Sequence, residues 1–130
     1  MRKLALILAA GAALATGPAL QARERLTPQQ QLDKMLEGRV AGRPVSCLST
    51  FGSPELRVLD KTALVYGRGK VIYVNVPRNP DVLDDDAILV TRQTGSQLCR
   101  LDIVNMVDRT GGFYRGFVSL TDFVPFRKVG

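Results

Sequence analysis

The spacing of hydrophobic positions along this chain changes period at Val45. Ahead of it, Leu32, Met35 and Leu36 fall three and four residues apart, which makes one apolar stripe on a helix. Thr27 can cap that helix, Pro28 suits its first turn, Gln30 stands where a capping box needs it, and Gly38 supplies the stop. The pattern predicts a helix over residues 28–37 and a linker over residues 38–44. A helix this short is marginal in water, so its stripe must cover an edge or end of the following domain, or else hold a partner.

From Val45 onward the apolar runs are short and punctuated by turn residues, as strands require. Strands are expected over residues 45–48, 56–59 and 62–66. Gly67-Arg68-Gly69-Lys70 reads as a hairpin turn into a strand over residues 71–76. There Ile72, Val74 and Val76 share one face and Val71, Tyr73 and Asn75 the other, and the first set is the better core candidate. Residues 87–91 are apolar almost throughout and are expected to be buried on both sides. Further strands are expected over residues 97–101, 103–107, 113–119 and 123–126. The fold class is therefore mainly β: a small antiparallel barrel or sandwich of about seven or eight short strands with one short N-terminal helix.

One segment has a different character. Arg2 and Lys3 precede a run of apolar and small residues from Leu4 to Leu20 that Gly17-Pro18 interrupts, which is the anatomy of a secretory signal peptide. Cleavage is expected after Ala15 or after Ala22. The chain then divides into a signal peptide (1–22), a polar segment with the short helix and linker (23–44) and a β domain (45–130). The expected location is periplasmic or secreted, with no membrane span once the signal is removed.

Export changes the meaning of Cys47 and Cys99, the two cysteines of the chain. In an oxidising compartment they are expected to pair. The alternatives are free thiols, a redox couple or a metal site, but C-x-x-C spacing and further ligands are absent. Closing a loop of 52 residues stabilises the fold by roughly 4 kcal/mol in the chain-entropy picture.

The formal charge of +6 falls to +4 when Arg2 and Lys3 leave with the signal, and the basic residues are spread along the chain. No nucleic-acid partner is expected from that distribution in a secreted protein. The chain contains no histidine, which removes Ser-His-Asp and Cys-His catalysis and most zinc chemistry. The acidic stretch over residues 81–86 fails as a calcium loop, because the sixth position is Asp86 and the twelfth Arg92. No metal, cofactor or catalytic residue is expected. A carboxylate-pair hydrolase drawing on Glu37, Glu55, Asp102, Asp108 or Asp122 is the catalytic plan that survives without histidine.

Three phrases, Val45-Ser46-Cys47-Leu48, Leu56-Arg57-Val58-Leu59-Asp60-Lys61-Thr62-Ala63-Leu64-Val65 and Gln97-Leu98-Cys99-Arg100-Leu101-Asp102-Ile103-Val104, together resemble a group of small secreted bacterial proteins of unknown function. The resemblance covers about residues 45–127. It implies the compartment and the pairing of Cys47 with Cys99, and no activity. Such proteins often carry two further cysteines, where this chain has Pro80 and Val118.

The function expected from these features is a non-catalytic binding or accessory module whose partner is an envelope protein or glycan. The candidate ligand residues are Tyr66, Arg68, Lys70 and Tyr73, a basic turn flanked by two tyrosines that suits an anionic or sugar ligand. Two alternatives are a small barrel binding oligosaccharide or another anionic ligand, and an inhibitor of an extracellular hydrolase. The inhibitor would use Phe113-Tyr114 beside Gly111-Gly112, although aromatics there more often join the core.

Overall fold

Helix α1 (Pro28–Leu36) begins with the capping box read from the sequence. The Gln30 N–H donates to Thr27 Oγ1 at 3.1 Å, and the Thr27 N–H donates to Gln30 Oε1 at 2.9 Å. The structure is a computed structural model that describes residues 25–52, 54–93 and 95–130. The signal peptide expected over residues 1–22 lies outside them. Leu32 is buried, with Met35 and Leu36 packed beside it, and together they lie on Leu59, Ala63, Val65, Ile72 and Val74. Burying the Leu32 side chain contributes about 2 kcal/mol. The stripe thus closes on its own domain.

Ten strands follow among the described residues: β1 (Arg39–Ala41), β2 (Cys47–Ser49), β3 (Leu56–Leu59), β4 (Ala63–Tyr66), β5 (Val71–Asn75), β6 (Ile88–Thr91), β7 (Gln97–Cys99), β8 (Ile103–Val107), β9 (Tyr114–Ser119) and β10 (Val124–Lys128). All pairings are antiparallel. They form a five-stranded sheet in the order β1-β10-β5-β4-β3, a three-stranded sheet β6-β8-β9 and the ribbon β2-β7. The sheets do not close into a barrel, so the arrangement is sandwich-like.

The main core lies between the sheets. Leu48, Leu64, Tyr66, Leu83, Leu98, Val104, Met106, Val118, Leu120 and Phe123 meet there, and the Tyr66 and Phe123 rings pack edge to face at 5.7 Å. Alternation along β4 explains how one strand serves two cores. Ala63 and Val65 face α1 while Leu64 and Tyr66 face the sandwich interior, and all four are buried.

Cys47 and Cys99 are direct cross-strand partners in β2-β7 and form the expected disulfide. Backbone bonds frame it, with the Arg100 N–H donating to the Ser46 carbonyl and the Thr50 N–H to the Ser96 carbonyl, each at 2.8 Å.

Four expectations need correction. The stretch read as a linker contains β1, which pairs with β10 through Arg39↔Lys128, Val40↔Arg127 and Ala41↔Phe126. Three residues at a sheet edge have too little periodicity to announce themselves. β6 was expected to be buried on both sides, yet Ile88 and Val90 are each 40% exposed, because no layer among the described residues covers the outer face of its sheet. Val76 is half exposed because β5 ends at Asn75. Both faces of β5 are occupied, and Asn75 is fully buried. Its side chain does the work of a strand neighbour: Nδ2 donates to the Thr121 carbonyl at 2.7 Å, and Oδ1 accepts from the Thr121 N–H at 3.1 Å. Finally, Phe113 and Tyr114 lie on the surface, 74% and 64% exposed, and do not join the core.

Candidate functional site

The basic turn predicted between two tyrosines exists. Gly67 and Gly69 take φ values of +95° and +93°, which only glycine adopts readily, and the chain reverses there from β4 to β5. Tyr66 and Tyr73 stand opposite one another across the two strands. Their rings, however, turn into the sandwich. Tyr66 is buried in the main core and Tyr73 packs against it. Burial pushes the Tyr66 phenol far above its usual range, so it stays neutral. The structure therefore separates the two tyrosines from Arg68, which lies on the helix side of the sheet, and Lys70 is exposed.

What gathers around Arg68 is a set of cations that sequence order conceals. An open cleft of about 290 Å³ lies beside the C-terminal end of α1 and carries Lys34, Arg39, Arg57, Arg68 and Lys128 on its walls. Met35, Val65 and Ile72 contribute its apolar surface, and Glu37 is its one acidic residue. The five cations come from α1, β1, β3, the β4–β5 turn and β10. Folding collects them because β10 and β1 run beside β5 while α1 crosses the same face.

Arg39 has a fixed position. Its guanidinium donates to the carbonyls of Met35 (2.9 Å), Gly69 (2.8 Å), Lys70 (3.1 Å) and Phe126 (3.3 Å). One side chain thus ties the helix end, the turn and β10 together, and answers an otherwise orphaned carbonyl in the last helical turn. Its charge meets no carboxylate within 4 Å among the described residues, and neither do those of Lys34 and Lys128.

Glu55 partly offsets the site. Its carboxylate accepts from Arg68 Nη2 at 3.0 Å, also pairs with Arg68 Nε, and lies 3.7 Å from Arg57 Nε. The Arg68 hydrogen bond, with the charges of Arg68 and Arg57 behind it, holds the Glu55 carboxyl below the usual carboxylate range against a smaller opposing effect of burial. The cleft keeps a positive excess, since Glu37 and Glu55 face five cations.

The other candidate carboxylates have partners of their own. Asp102 accepts from the Cys99 N–H at 2.7 Å, Asp122 pairs with Arg100 at 3.2 Å, and Asp108 accepts from the Thr110 hydroxyl at 3.0 Å. Asp60, Asp84 and Asp85 bring carboxylate oxygens within 4.8 Å of one another. Arg115, at 2.9 Å, and the Asp86 N–H, at 2.9 Å, already engage Asp84 and hold its carboxyl below the usual range. A second hollow, of about 580 Å³, opens where Tyr66 meets Thr50, Leu56, Leu89, Gln93 and Leu98. Neither its polar groups nor its shape marks a reaction.

Comparison of the chain with known protein families, with curated proteins and with solved structures finds no match in any of the three. No helix among the described residues is long and apolar enough to cross a membrane.

Proposed function

We propose that the protein is a non-catalytic binding module acting outside the cytoplasm, and that the cleft beside α1 holds a carboxylate or phosphate group of an envelope ligand. One observation carries this assignment: cations from five segments converge on one open cleft, and three of them, Lys34, Arg39 and Lys128, have no acidic partner among the described residues. Like charges repel, so gathering them costs stability that a bound anion recovers. Arg39 is already oriented by four carbonyls, which lowers the ordering cost of binding. The disulfide fits export to an oxidising compartment. The engagement of Asp102 and Asp122 by neighbouring donors and the absence of histidine support a role in binding over turnover.

The test is an NMR titration of the oxidised protein with inorganic phosphate, with a uronic acid disaccharide and with a neutral disaccharide. Both anions should shift the amides of Gly67, Gly69 and Arg39, with affinity falling as salt rises, while the neutral sugar leaves them unmoved. Replacing Lys34 and Lys128 together with Ala should weaken phosphate binding about tenfold without lowering the melting temperature, since both side chains are exposed and their removal relieves repulsion. Shifts spread evenly over Arg78, Arg92 and Arg109 would instead mean diffuse counter-ion attraction and would sink the proposal.

A further inference from the structure

The outer face of the three-stranded sheet carries a run of exposed apolar side chains. Register puts them in rows. Ile88, Val107 and Tyr114 form one row, Val90, Asn105 and Phe117 the next, and Ile103 with Ser119 the third, beside Arg92. Ile88 and Val90 are 40% exposed, Phe117 50% and Ile103 60%. A soluble sheet ordinarily shows polar residues on such a face, and contiguous apolar patches mark interaction sites.

The two ends of this face differ in shape and charge. At one end the β8–β9 hairpin raises Phe113 and Tyr114 as a knob. Asp86 and Asp108 lie at that end, where Arg109 pairs with Asp86 at 3.6 Å and the Asp108 N–H donates to the Phe113 carbonyl. At the other end a hollow of about 470 Å³ is lined by Arg92, Leu101, Asp102, Ile103 and Asn105, with Leu101 78% exposed.

We infer that this face pairs with the same face of a second copy of the chain. A two-fold axis lying along the Val90–Asn105–Phe117 row, at right angles to the strands, turns one sheet over onto the other. It sets Tyr114 of each copy over the Ile103–Ser119 end of its partner. It also brings Arg92 of each copy toward the Asp86 end of the other. Each contact occurs twice, as an isologous interface requires. The three aromatics expose roughly 350 Å² per copy, given the 150–250 Å² that such side chains bury. With the aliphatic rows the face approaches the lower limit of specific interfaces, so the dimer should form with a dissociation constant on the order of 10 µM.

The axis makes a sharp demand: residues in the middle row meet their own counterparts. Asn105→Cys should therefore form an intermolecular disulfide under mild oxidation much faster than Asp33→Cys, on the exposed face of α1, used as a control. Sedimentation of the unmodified oxidised protein should show a concentration-dependent dimer. Tyr114→Ser and Ile103→Asp should each leave only monomer with the melting temperature unchanged, because both positions are exposed. Equal cross-linking of the Asn105 and Asp33 variants would overturn the inference. So would a monomer at all concentrations up to about 1 mM, including one whose Tyr114→Ser change abolishes binding to lipid vesicles. These outcomes are independent of phosphate binding at the cleft, which lies against the other sheet.

Discussion

The five-stranded and three-stranded sheets are built from similar residues and meet solvent in opposite ways. In the first, the outer face carries Ala63, Val65, Ile72 and Val74, and α1 lies across it. In the second, the outer face carries Ile88, Val90, Ile103 and Phe117, and nothing in the described chain lies across it. Their inner faces share one core. An apolar run therefore specifies a strand with two faces fit for burial, while its coverage depends on whether some other segment reaches it. The one α-helix among the described residues lies on the sheet that β1 and β10 border.

The comparison breaks most visibly at Leu32. Leu32→Ala removes the buried contact of α1, so urea unfolding should show a loss of about 3 kcal/mol, within the usual range for a buried leucine. The same variant should weaken phosphate binding, because Lys34 loses its placement at the cleft. A loss under about 1 kcal/mol would mean that the helix is held by Arg39 and not by its stripe. Val90→Ser is the counterpart on the uncovered sheet. Measured on dilute monomer, it should change stability by no more than about 0.5 kcal/mol, as at other surface positions.

The smallest effect concerns acid. The Glu55 carboxyl sits below its ordinary value of 4.5 in the folded chain, so its pairs with Arg68 and Arg57 stabilise the fold above that pH and are lost as pH falls through the lowered value. Glu55→Gln should flatten this part of the acid unfolding curve. It should also tighten phosphate binding at neutral pH by releasing Arg68. Weaker binding would show that Glu55 positions Arg68 for the ligand rather than competing with it.

Local features were the readable part of the fold. The capping box at Thr27 and Gln30, the Leu32–Met35–Leu36 stripe, the glycine turn at 67–70 and the cysteine pair each announce themselves within a few residues or by compartment chemistry. β1 escaped detection because pairing with β10, far along the chain, is its main cause. The exposure of Ile88 and Val90 escaped because a strand's sequence does not record which layers reach it. Asn75 looked like a polar outward position and is buried, since Thr121 supplies its partners from another segment.

The candidate site divides in the same way. The turn at residues 67–70 forms where the glycines place it, and Arg68 lines a cleft. The tyrosine flanks are misleading, because alternation along β4 and β5 sends both rings to the far side of the sheet from Arg68. Lys34, Arg57 and Lys128 were beyond sequence reasoning. Only the crossing of α1 over β3–β5 and the pairing of β10 with β5 bring them together.

The cleft also joins the two ends of the domain. Lys34 and Arg39 enter from its N-terminal helix and first strand. Lys128 enters from its last strand, where the Lys128 N–H donates to the Lys70 carbonyl at 2.8 Å and the Val129 N–H to the Gly38 carbonyl at 2.9 Å. Lys34, Arg39 and Lys128 lie outside the Cys47–Cys99 ribbon and the main sandwich core. The cleft is therefore complete only while the β1–β10 seam is closed, so a ligand held there would also hold the two segments together.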